Sequence, residues 1–488
     1  MGSTDTPKMG YTPPADGFRT FVILWASQTL SVFGSQLTFF AMTVWLTITL
    51  YPLPSQQPLL AAALSAIALA FGLPNLLLAP VAGVLADRFD RKTIMFWANL
   101  ACAAVTLVLL GLLFADELTL VRLILLQAAV SAFGCLHQSA FDASYAMLVP
   151  DHLLPRANGM MQTIFSLSGI LSPAIAAALI ALPALMRQLP EPGPLALAIG
   201  RLRDGAVFAI GVNSLTLLGA AMVLPFLSVP SPRMASTAVP AAPGQEQGRG
   251  GGGRSFWADV REGIAFIAAR RGLLWLLLVF ASANLLLAPG GVLQPMILRD
   301  NMGADFAARG LSYEAALALL GSVGAIGGLA GGLVVTAWGG LRSRRVYGVL
   351  VPMIACGLAQ MAFGLSAWVY LGAGAVAVRA ATGPLMNAHS QTIWQTETPR
   401  EMQGRVFAVR RVIAQFTIPI GTAFAGLIGG RVNPGLAVAG PAALLVLLTV
   451  TQLFNRALLT AETAGAAAAA VAAPAQPAVT KTGSAPGG

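Results

Sequence analysis

Long apolar stretches alternate with short polar ones along the whole chain, and charged residues collect in the polar ones. A helix needs about 20 apolar residues to cross the hydrocarbon layer of a membrane. Twelve stretches come near that length or exceed it, so the pattern favours helices that span a bilayer. The predicted spans are residues 20–48, 59–85, 93–114, 118–140, 158–182, 205–228, 273–297, 314–338, 346–366, 368–391, 406–429 and 436–458.

Composition supports the same reading. The chain is 56% hydrophobic and 10% charged, whereas a soluble domain carries about 25% charged residues. Since so few polar side chains cannot cover a water-exposed surface, the bilayer is expected to act as part of the solvent. Helices satisfy their own backbone hydrogen bonds in lipid, and we therefore predict an all-α polytopic membrane protein. The first stretch is too long for a signal core of about 7–15 residues, so we expect it to remain in the membrane.

The distribution of positive charge predicts the orientation. If both termini are cytoplasmic, 21 of the 29 Lys and Arg residues lie inside and 7 lie outside. Cytoplasmic loops of membrane proteins carry such an excess. We therefore predict a multi-pass protein of the inner (plasma) membrane with both termini in the cytoplasm. The net charge of +10 is then explained by topology and anionic headgroups, and no nucleic-acid partner is expected.

Changes in composition divide the chain into segments. The region around residues 228–255 is rich in Pro, Gly, Ala and Ser and cannot bury enough apolar surface to fold. Residues 256–271 follow it with apolar positions at helical spacing, which predicts an amphipathic helix in the inner headgroup layer. The predicted segments are a cytoplasmic N-terminal segment 1–17, a six-helix bundle 18–228, a cytoplasmic linker 229–272, a second six-helix bundle 273–460 and a disordered cytoplasmic tail 461–488.

The two bundles show a weak internal repeat. Three positions in the first half have counterparts 246 to 249 residues later, and the same offset carries the first stretch onto the seventh. This favours two pseudo-symmetric six-helix bundles related by an axis along the membrane normal. The paired positions are Pro150 with Pro399, Asn158 with Arg405, Pro173 with Pro419, and Ser35 with Asn284.

The loop after the second stretch carries the most specific motif: Gly83-x-x-x-Asp87-Arg88-x-x-Arg91-Lys92. A glycine at position 83 lets two backbones approach closely. Asp87, at a helix end, is placed to meet an Arg or the positive N-terminus of a neighbouring helix. The three cations can bind phosphate headgroups and that acid. We predict that these five residues form a latch that holds two helix bundles in one state and releases them in the other.

This motif resembles the loop-two signature of the major facilitator superfamily. Four further segments resemble its macrolide-efflux and enterobactin-exporter branch, and together they cover most of the chain from Phe18 to about Leu458. The resemblance implies the major facilitator fold and a secondary active exporter that works by alternating access. The segments are Trp25 to Thr38, Leu148-Val-Pro150 followed by Arg156-Ala-Asn158, Trp257-Ala-Asp259 followed by Glu262-Gly263, and Gly404-Arg405-Val-Phe407.

The fifth stretch departs from the family pattern. Antiporters of the superfamily often carry G-x-x-x-G-P-x-x-G-G there, and this chain has Gly169-Ile-Leu-Ser-Pro173-Ala-Ile-Ala-Ala. Gly169, Pro173 and the small residues still permit tight helix packing. The missing glycines leave the direction of transport open.

Polar residues within the stretches are candidates for a substrate cavity. Gln28, Ser31, Ser35 and Thr38 recur at spacings of 3, 4 and 3, which places them on one helical face. Because polar side chains facing lipid are costly, this face should turn either toward a cavity or toward another helix. The further candidates are Asn284 and Gln294 in the seventh stretch, with Asn75, Asn387 and Gln415.

Charged and titratable residues within the stretches are few. Arg379 is the only charge deep inside one, so it either gates or binds an anionic substrate or makes a structural contact. No GxxxxGK[ST] loop for ATP occurs. We therefore hypothesise proton coupling with Asp87, Asp142 or His137 as the titrating group. Sodium coupling stays open, and histidines such as His137 and His389 also fit a structural role.

Substrate identity is not encoded in any motif. A cavity walled by Gln, Ser, Asn and aromatic residues suits small amphipathic compounds that are drug-, macrolide- or siderophore-like. The alternative is a flippase of lysophospholipid or another lipid. No metal-spaced cluster or nucleophile–base set suggests an enzyme, no cofactor is expected, and we predict a monomer. Free cysteines in apolar stretches, at Cys102, Cys135 and Cys356, are expected to be small buried hydrophobes.

Overall fold

The computed structural model describes residues 14, 16–150, 153–229, 256–399 and 402–460. Within those ranges the chain forms helices joined by short connections, and no residue there belongs to a β-strand. Twelve of the helices are long and apolar enough to cross a membrane. The all-α polytopic fold and the count of twelve spans are confirmed.

The spanning helices are numbered α1 to α12. Each overlaps one predicted apolar stretch, and most boundaries agree within a few residues. They are α1 Gly17–Val44, α2 Gln57–Arg88, α3 Arg91–Phe114, α4 Leu120–Leu148, α5 Leu154–Arg187, α6 Ala206–Val223, α7 Arg271–Val292, α8 Tyr313–Trp338, α9 Arg345–Leu365, α10 Val369–Glu397, α11 Gln403–Ile428 and α12 Pro434–Gln452.

The seventh stretch is interrupted. Helix α7 ends at Val292, and a separate short helix, Gln294–Asn301, begins after Leu293. Pro295 lies in the first turn of the short helix, where its missing N–H group costs nothing. The single span predicted for 273–297 therefore combines α7 with the start of a second element. Helix α1 is likewise prolonged by a π-helical segment, Trp45–Leu50.

Helix packing follows the same plan in both halves. In the first half α1 packs on α5 and α6, α3 packs on α4 and α6, and α2 packs on α4. In the second half α7 packs on α11 and α12, α9 packs on α10 and α12, and α8 packs on α10. Two pairs, α2 with α11 and α5 with α8, join the halves, and the same symmetry exchanges these two pairs. Two pseudo-symmetric six-helix bundles are thus present.

The bundle has two faces that differ in charge. We call cationic face the end where α1 begins at Gly17 and where the turns 88–91 and 339–344 lie, with their Arg and Lys residues. The other end, with the connections 51–56, 293–312 and 429–433, is called the opposite face. Because twelve spans are an even number, Gly17 and Thr460 both lie at the cationic face.

Short clamps fix the connections. Only three residues separate α9 from α10, and the N–H group of Val369 donates to Asp305 Oδ2 at 2.9 Å. Arg309 pairs with the same carboxylate at 3.0 Å and lies over the Tyr370 ring. The hydrogen bond from Arg309 holds the pKa of Asp305 below its usual range. This tight turn explains why the two apolar stretches almost merge in the sequence.

The described part of the linker is anchored to the second half. Its helix, Phe256–Ala269, packs on α11, and Glu262 pairs with Arg405 at 2.8 Å. The predicted N-terminal segment, most of the linker and the tail 461–488 lie outside the described residues. The segment boundaries, the monomeric state and the orientation of the termini remain predictions.

Candidate functional site

A central cavity lies where the two halves meet. It has a volume of about 470 Å³ and is lined by α1, α2 and α5 from the first half and by α7, α8 and α11 from the second. The short helix after α7 adds Gln294 to its wall. Few other polar side chains line this cavity. On α1, two phenylalanines, Phe39 and Phe40, lie between the polar residues Gln36 and Thr43, and the other polar lining residues are Ser168 and Thr422.

A second cavity separates α2 from α11 and has a volume of about 720 Å³. It begins at Gly404, near the cationic end of α11, and reaches Thr422, about three quarters of the way along that helix. Ala68, Ile418 and Thr422 line both cavities, so the two adjoin each other. Together these adjoining cavities, which we call the path, extend from the cationic face toward the centre of the bundle.

Hydrogen bonds between the halves close the opposite face. Arg299 Nη1 donates to the carbonyl oxygens of Tyr51 at 2.9 Å and Thr47 at 3.4 Å, and Gln57 Nε2 donates to Asp300 Oδ2 at 3.0 Å. Arg299 and Asp300 also pair with each other at 2.7 Å, and each side chain is only 14% exposed. We call these five residues the seal. Motif reasoning missed the seal because its carbonyl acceptors leave no trace in residue type.

Glycines bring α2 and α11 together beneath the seal. A Cβ atom on Gly430 would lie 2.1 Å from Pro58 Cα, and one on Gly426 would lie 2.8 Å from the Ser65 side chain. Neither distance leaves room for a side chain. The backbones of the two halves therefore touch at the opposite face, while the same two helices enclose a cavity toward the cationic face.

Helix α5 meets α8 at the second contact between the halves. A Cβ on Gly169 would lie 3.2 Å from Ala325 Cβ, and one on Gly321 would lie 3.2 Å from Pro173 Cγ. Ser322 Oγ donates to the carbonyl of Ile170 at 2.6 Å across the same interface. Gly169 and Pro173 also line the central cavity. The residues singled out in the fifth stretch thus lie where two halves and the cavity meet.

The polar face chosen on α1 does not line either cavity. Gln28, Ser31 and Thr38 are buried, and Thr38 Oγ1 accepts a hydrogen bond of 2.9 Å from Asn213 on α6. Ser35 is exposed and donates to the Ser31 carbonyl. This arrangement corresponds to helix packing, the other option for this face. Polarity alone could not separate the two, because both environments reward a hydrogen-bonding side chain.

The cavity-lining face of α1 consists of Gln36, Phe39, Phe40 and Thr43. These residues follow the spacing i, i+3, i+4, i+7 of a single helical face. That spacing was the available signal, although the two phenylalanines within it read as ordinary apolar residues.

The remaining cavity candidates are placed as follows. Asn284 Nδ2 donates to the Ala414 carbonyl at 2.8 Å and so joins α7 to α11. Gln294 lines the central cavity, and Asn75 and Gln415 line the cavity between α2 and α11. Arg379 is partly buried on α10 and lines neither of these two cavities.

The predicted latch holds the first half together in this conformation. Arg91 is buried and donates from Nη1 to the Ala143 carbonyl at 2.9 Å and from Nε to the Ala86 carbonyl at 3.1 Å. Lys92 Nζ donates to the Pro225 carbonyl at 2.7 Å, after the end of α6. Arg88 is exposed. Arg91 and Lys92 thus donate hydrogen bonds to backbone carbonyls in this conformation, and their contact with headgroups stays a prediction.

Two latch residues need separate comment. A Cβ on Gly83 would meet no heavy atom within 4 Å, so the expected close backbone approach does not occur in this structure. Gly83 follows Ala79 by four residues and Pro80 by three, and both of these line the cavity between α2 and α11. Residues at these spacings lie on one helix face, so Gly83 faces the gap between the halves. The Asp87 side chain lies outside the described residues.

The second half closes its corresponding loop differently. Gly339 and Gly340 adopt φ values of 75° and 76°, which favour glycine. His389 Nε2 accepts a 2.9 Å hydrogen bond from the Leu341 N–H group, and its Nδ1 contacts the Leu385 carbonyl at 2.7 Å. His389 therefore joins α10 to the loop 339–344, as Arg91 joins the α2–α3 turn to α4.

Two of the three coupling candidates, Asp142 and His137, lie on α4. Asp142 is exposed and accepts a hydrogen bond of 2.8 Å from Gln138 Nε2. The His137 ring stacks on Phe141, and its buried Nε2 has no hydrogen-bond partner among the described residues. Within the same part of the chain, no group of three or more His, Cys, Asp or Glu residues could hold a metal ion.

Comparison with known families agrees with this architecture. The profile described as Major Facilitator Superfamily matches residues 24–422, which is most of the chain. This chain belongs to the Major Facilitator Superfamily. Solved structures support the fold of this superfamily member. A bacterial homologue of the iron transporter ferroportin, in an inward-facing state, aligns with a TM-score of 0.60 at 18% identity over 89% of this chain and 98% of that one.

Other relatives of this superfamily member carry efflux names. Macrolide efflux protein A of Streptococcus pyogenes is 26% identical over 415 residues, which cover 85% of this chain and 90% of the relative. Enterobactin exporter EntS of Escherichia coli is 28% identical over 384 residues, which cover 76% and 80%. A bacterial homologue of the lysosomal transporter Spinster aligns with a TM-score of 0.59 at 15% identity over 94% of this chain and 98% of that one.

Proposed function

We propose that this superfamily member is a secondary active exporter of small amphipathic compounds in the inner membrane, with its cationic face in the cytoplasm. One observation carries the proposal. The path of two adjoining cavities extends from the cationic face to the centre of the bundle, and the seal closes the far end. Such a structure can exchange substrate with the cytoplasm, and alternating access then requires the seal to open. Relatives named for efflux and export favour the outward direction.

The walls of the path support an amphipathic substrate. Most lining residues are apolar, and a few amide and hydroxyl groups lie among them, as is common in small-molecule sites. Relatives named for macrolide efflux and enterobactin export favour drug-, macrolide- or siderophore-like compounds.

We further propose that the proton gradient drives export. Asp142 is an exposed carboxyl group near the cationic end of α4, where protons can reach it from the cytoplasm. His137, one turn away, and Asp87 are the other candidates for the proton-carrying group.

The test uses purified protein in proteoliposomes with an imposed pH gradient and a panel of fluorescent amphipathic dyes. We expect proton-dependent dye transport that a protonophore abolishes. Asp142→Asn should reduce proton-driven transport at least about ten-fold, as expected when a general acid–base group is lost. Asp116→Asn, at an exposed carboxylate on the opposite face, should retain the wild-type rate. Transport that persists after the gradient collapses would contradict proton coupling.

The second candidate function is lipid flipping. The cavity between α2 and α11 runs along the two helices and is mainly apolar, which also suits an acyl chain. Transport of a fluorescent lysophospholipid with no transport of the dyes would favour the flippase. Drug susceptibility should also be compared between strains with and without the gene. A change in drug susceptibility without any lysophospholipid transport would favour the exporter.

A further inference from the structure

Arg411 occupies an unusual position in the cavity between α2 and α11. It lies eight residues after Gln403, the first residue of α11, or about 12 Å along the helix at 1.5 Å per residue. Its side chain is exposed and lines the cavity. A charged side chain at this depth needs water or a partner of opposite sign, since lipid cannot solvate it.

The walls of the cavity supply no such partner. Its lining residues, all within the described part of the chain, include no Asp or Glu. The preceding residue, Arg410, turns toward α10, where it donates to Gln391 Oε1 at 2.8 Å and Ser390 Oγ at 3.1 Å. Arg411 is thus the only charged residue that lines this cavity, and the cavity carries a net positive charge.

The other lining groups fit an amphipathic ligand. Gln415 follows Arg411 by four residues and shares its helix face. The facing wall on α2 is largely apolar, with Leu69, Leu73 and Leu76. The volume of about 720 Å³ lies within the range of small-molecule sites. One end of a bound molecule would meet a guanidinium and an amide, and its body would meet leucine side chains.

We propose that the cavity between α2 and α11 binds amphipathic anions, with Arg411 taking the carboxylate, sulfonate or phosphate group. The proposal rests on the exporter function and narrows its substrate class. A guanidinium presents several N–H donors that match the oxygens of such groups. A cationic amphiphile would bring its charge close to the like charge of Arg411 and would bind weakly.

The test measures binding of 11-(dansylamino)undecanoic acid and of its uncharged methyl ester to protein in phosphatidylcholine nanodiscs. We expect saturable fluorescence enhancement with the acid and at least ten-fold weaker binding of the ester. Arg411→Gln should weaken binding of the acid at least ten-fold and leave the ester unchanged. Arg411→Lys should restore most of the affinity. Arg261→Gln, at an exposed cation on the linker helix, serves as the matched control and should bind like the wild type.

A second arm identifies where the anion comes from. Nanodiscs that contain phosphatidylglycerol compete with the dansylated acid if a lipid headgroup uses the site, and they do not compete if the site takes soluble amphiphiles only. Either outcome supports an anion site at Arg411. In the first case Arg411→Gln should abolish the competition by phosphatidylglycerol, and in the second it should abolish binding of the acid. Equal affinity of acid and ester, or an Arg411→Gln variant that folds and binds the acid like the wild type, would overturn the inference.

Failure of this inference is separable from failure of the exporter function. If wild-type proteoliposomes transport no anionic, neutral or cationic dye, the exporter function itself is wrong. If they transport dyes and Arg411→Gln leaves the transport of the anionic dyes unchanged, the exporter function stands and the anion site is wrong.

Discussion

Among the described glycines that face the other half, Gly430 leaves the least room for a side chain. A Cβ atom on Gly430 would lie 2.1 Å from Pro58 Cα, a distance that no rotamer can relieve. The missing side chain thus controls how tightly the opposite face closes. At this scale a single methyl group changes the balance between two conformations of the whole transporter.

We expect Gly430→Val to push the opposite face open. Overpacking of this kind costs about 1–3 kcal/mol, which shifts a two-state equilibrium about five-fold to 150-fold. Spin labels at Leu53→Cys and Val432→Cys, both exposed at that face, should show a longer distance by double electron–electron resonance. The native cysteines are buried and should label poorly.

Gly440→Val provides the control for this prediction, because a Cβ on Gly440 meets no atom within 4 Å. It should leave the distance between the two labels unchanged. A Gly430→Val protein that folds and keeps the wild-type distance would show that this contact does not limit closure.

Residue-level function was the part least accessible from sequence. Arg91 and Lys92 were recognised as a charged motif, yet their acceptors are backbone carbonyls of helices far away in the chain. Every residue has a carbonyl, so composition cannot reveal which one is used. Arg411 likewise appears as one of many positive residues near the cytoplasm until α2 is seen to face it across a cavity.

At the scale of elements, the short helix Gln294–Asn301 unites two tasks. Its first residue lines the central cavity, and its last turn carries Arg299 and Asp300 of the seal. Tyr313 Oη donates to the Pro295 carbonyl at 3.1 Å and so ties this helix to α8. The segment can therefore transmit a change in the cavity to the opposite face.

We expect Arg299→Gln to weaken the seal, because its two hydrogen bonds to the carbonyl groups of Thr47 and Tyr51, which follow α1, are charge-assisted. Loss of hydrogen bonds to a charged group costs about 1.5–3 kcal/mol. The opposite face should open more often, so an introduced cysteine at Thr43, in the central cavity, should react faster with a membrane-impermeant thiol reagent added outside. Arg309→Gln, at the same face and outside the seal, should leave the labelling rate near that of the Thr43→Cys parent.

Element prediction succeeded where lipid imposes one solution. Twelve stretches became twelve helices because an unpaired backbone cannot remain in hydrocarbon. The break at Leu293 was not predicted, since the run of apolar residues continues through it and the Pro-Gly-Gly sequence before it is tolerated within α7. The sequence left two environments open for the polar face of α1, because buried Thr38 and cavity-lining Thr43 have the same side-chain chemistry.

At the scale of the whole molecule, the pseudo-symmetry relates the present conformation to its counterpart. The pseudo-twofold axis maps the contact of α2 with α11 onto the contact of α5 with α8. In the counterpart, α2 and α11 should separate at the opposite face and meet at the cationic face. Gly83, which now faces the gap beside Pro80 and Ala79, would then supply the space for close approach.

We expect Gly83→Leu to trap the transporter in the present conformation. The new side chain finds open space here and would clash when α2 approaches α11. Labels at Phe89→Cys and Ser343→Cys, both exposed at the cationic face, should keep a long distance while transport falls at least about ten-fold, as a shift of 1.4 kcal/mol implies. Gly111→Leu, which meets no atom within 4 Å on an exposed face of α3, should transport normally.

The rigid segment that begins at Gln294 is only eight residues long. A substrate that displaces Gln294 would move the whole short helix and strain the hydrogen bonds of the seal at its other end. The seal should therefore open only when the central cavity is occupied. A molecule that contacts Gln294 but is too large to leave through the opposite face would block transport while the cationic face is still open. Inhibitors of this transporter should therefore be sought among oversized analogues of its own substrates.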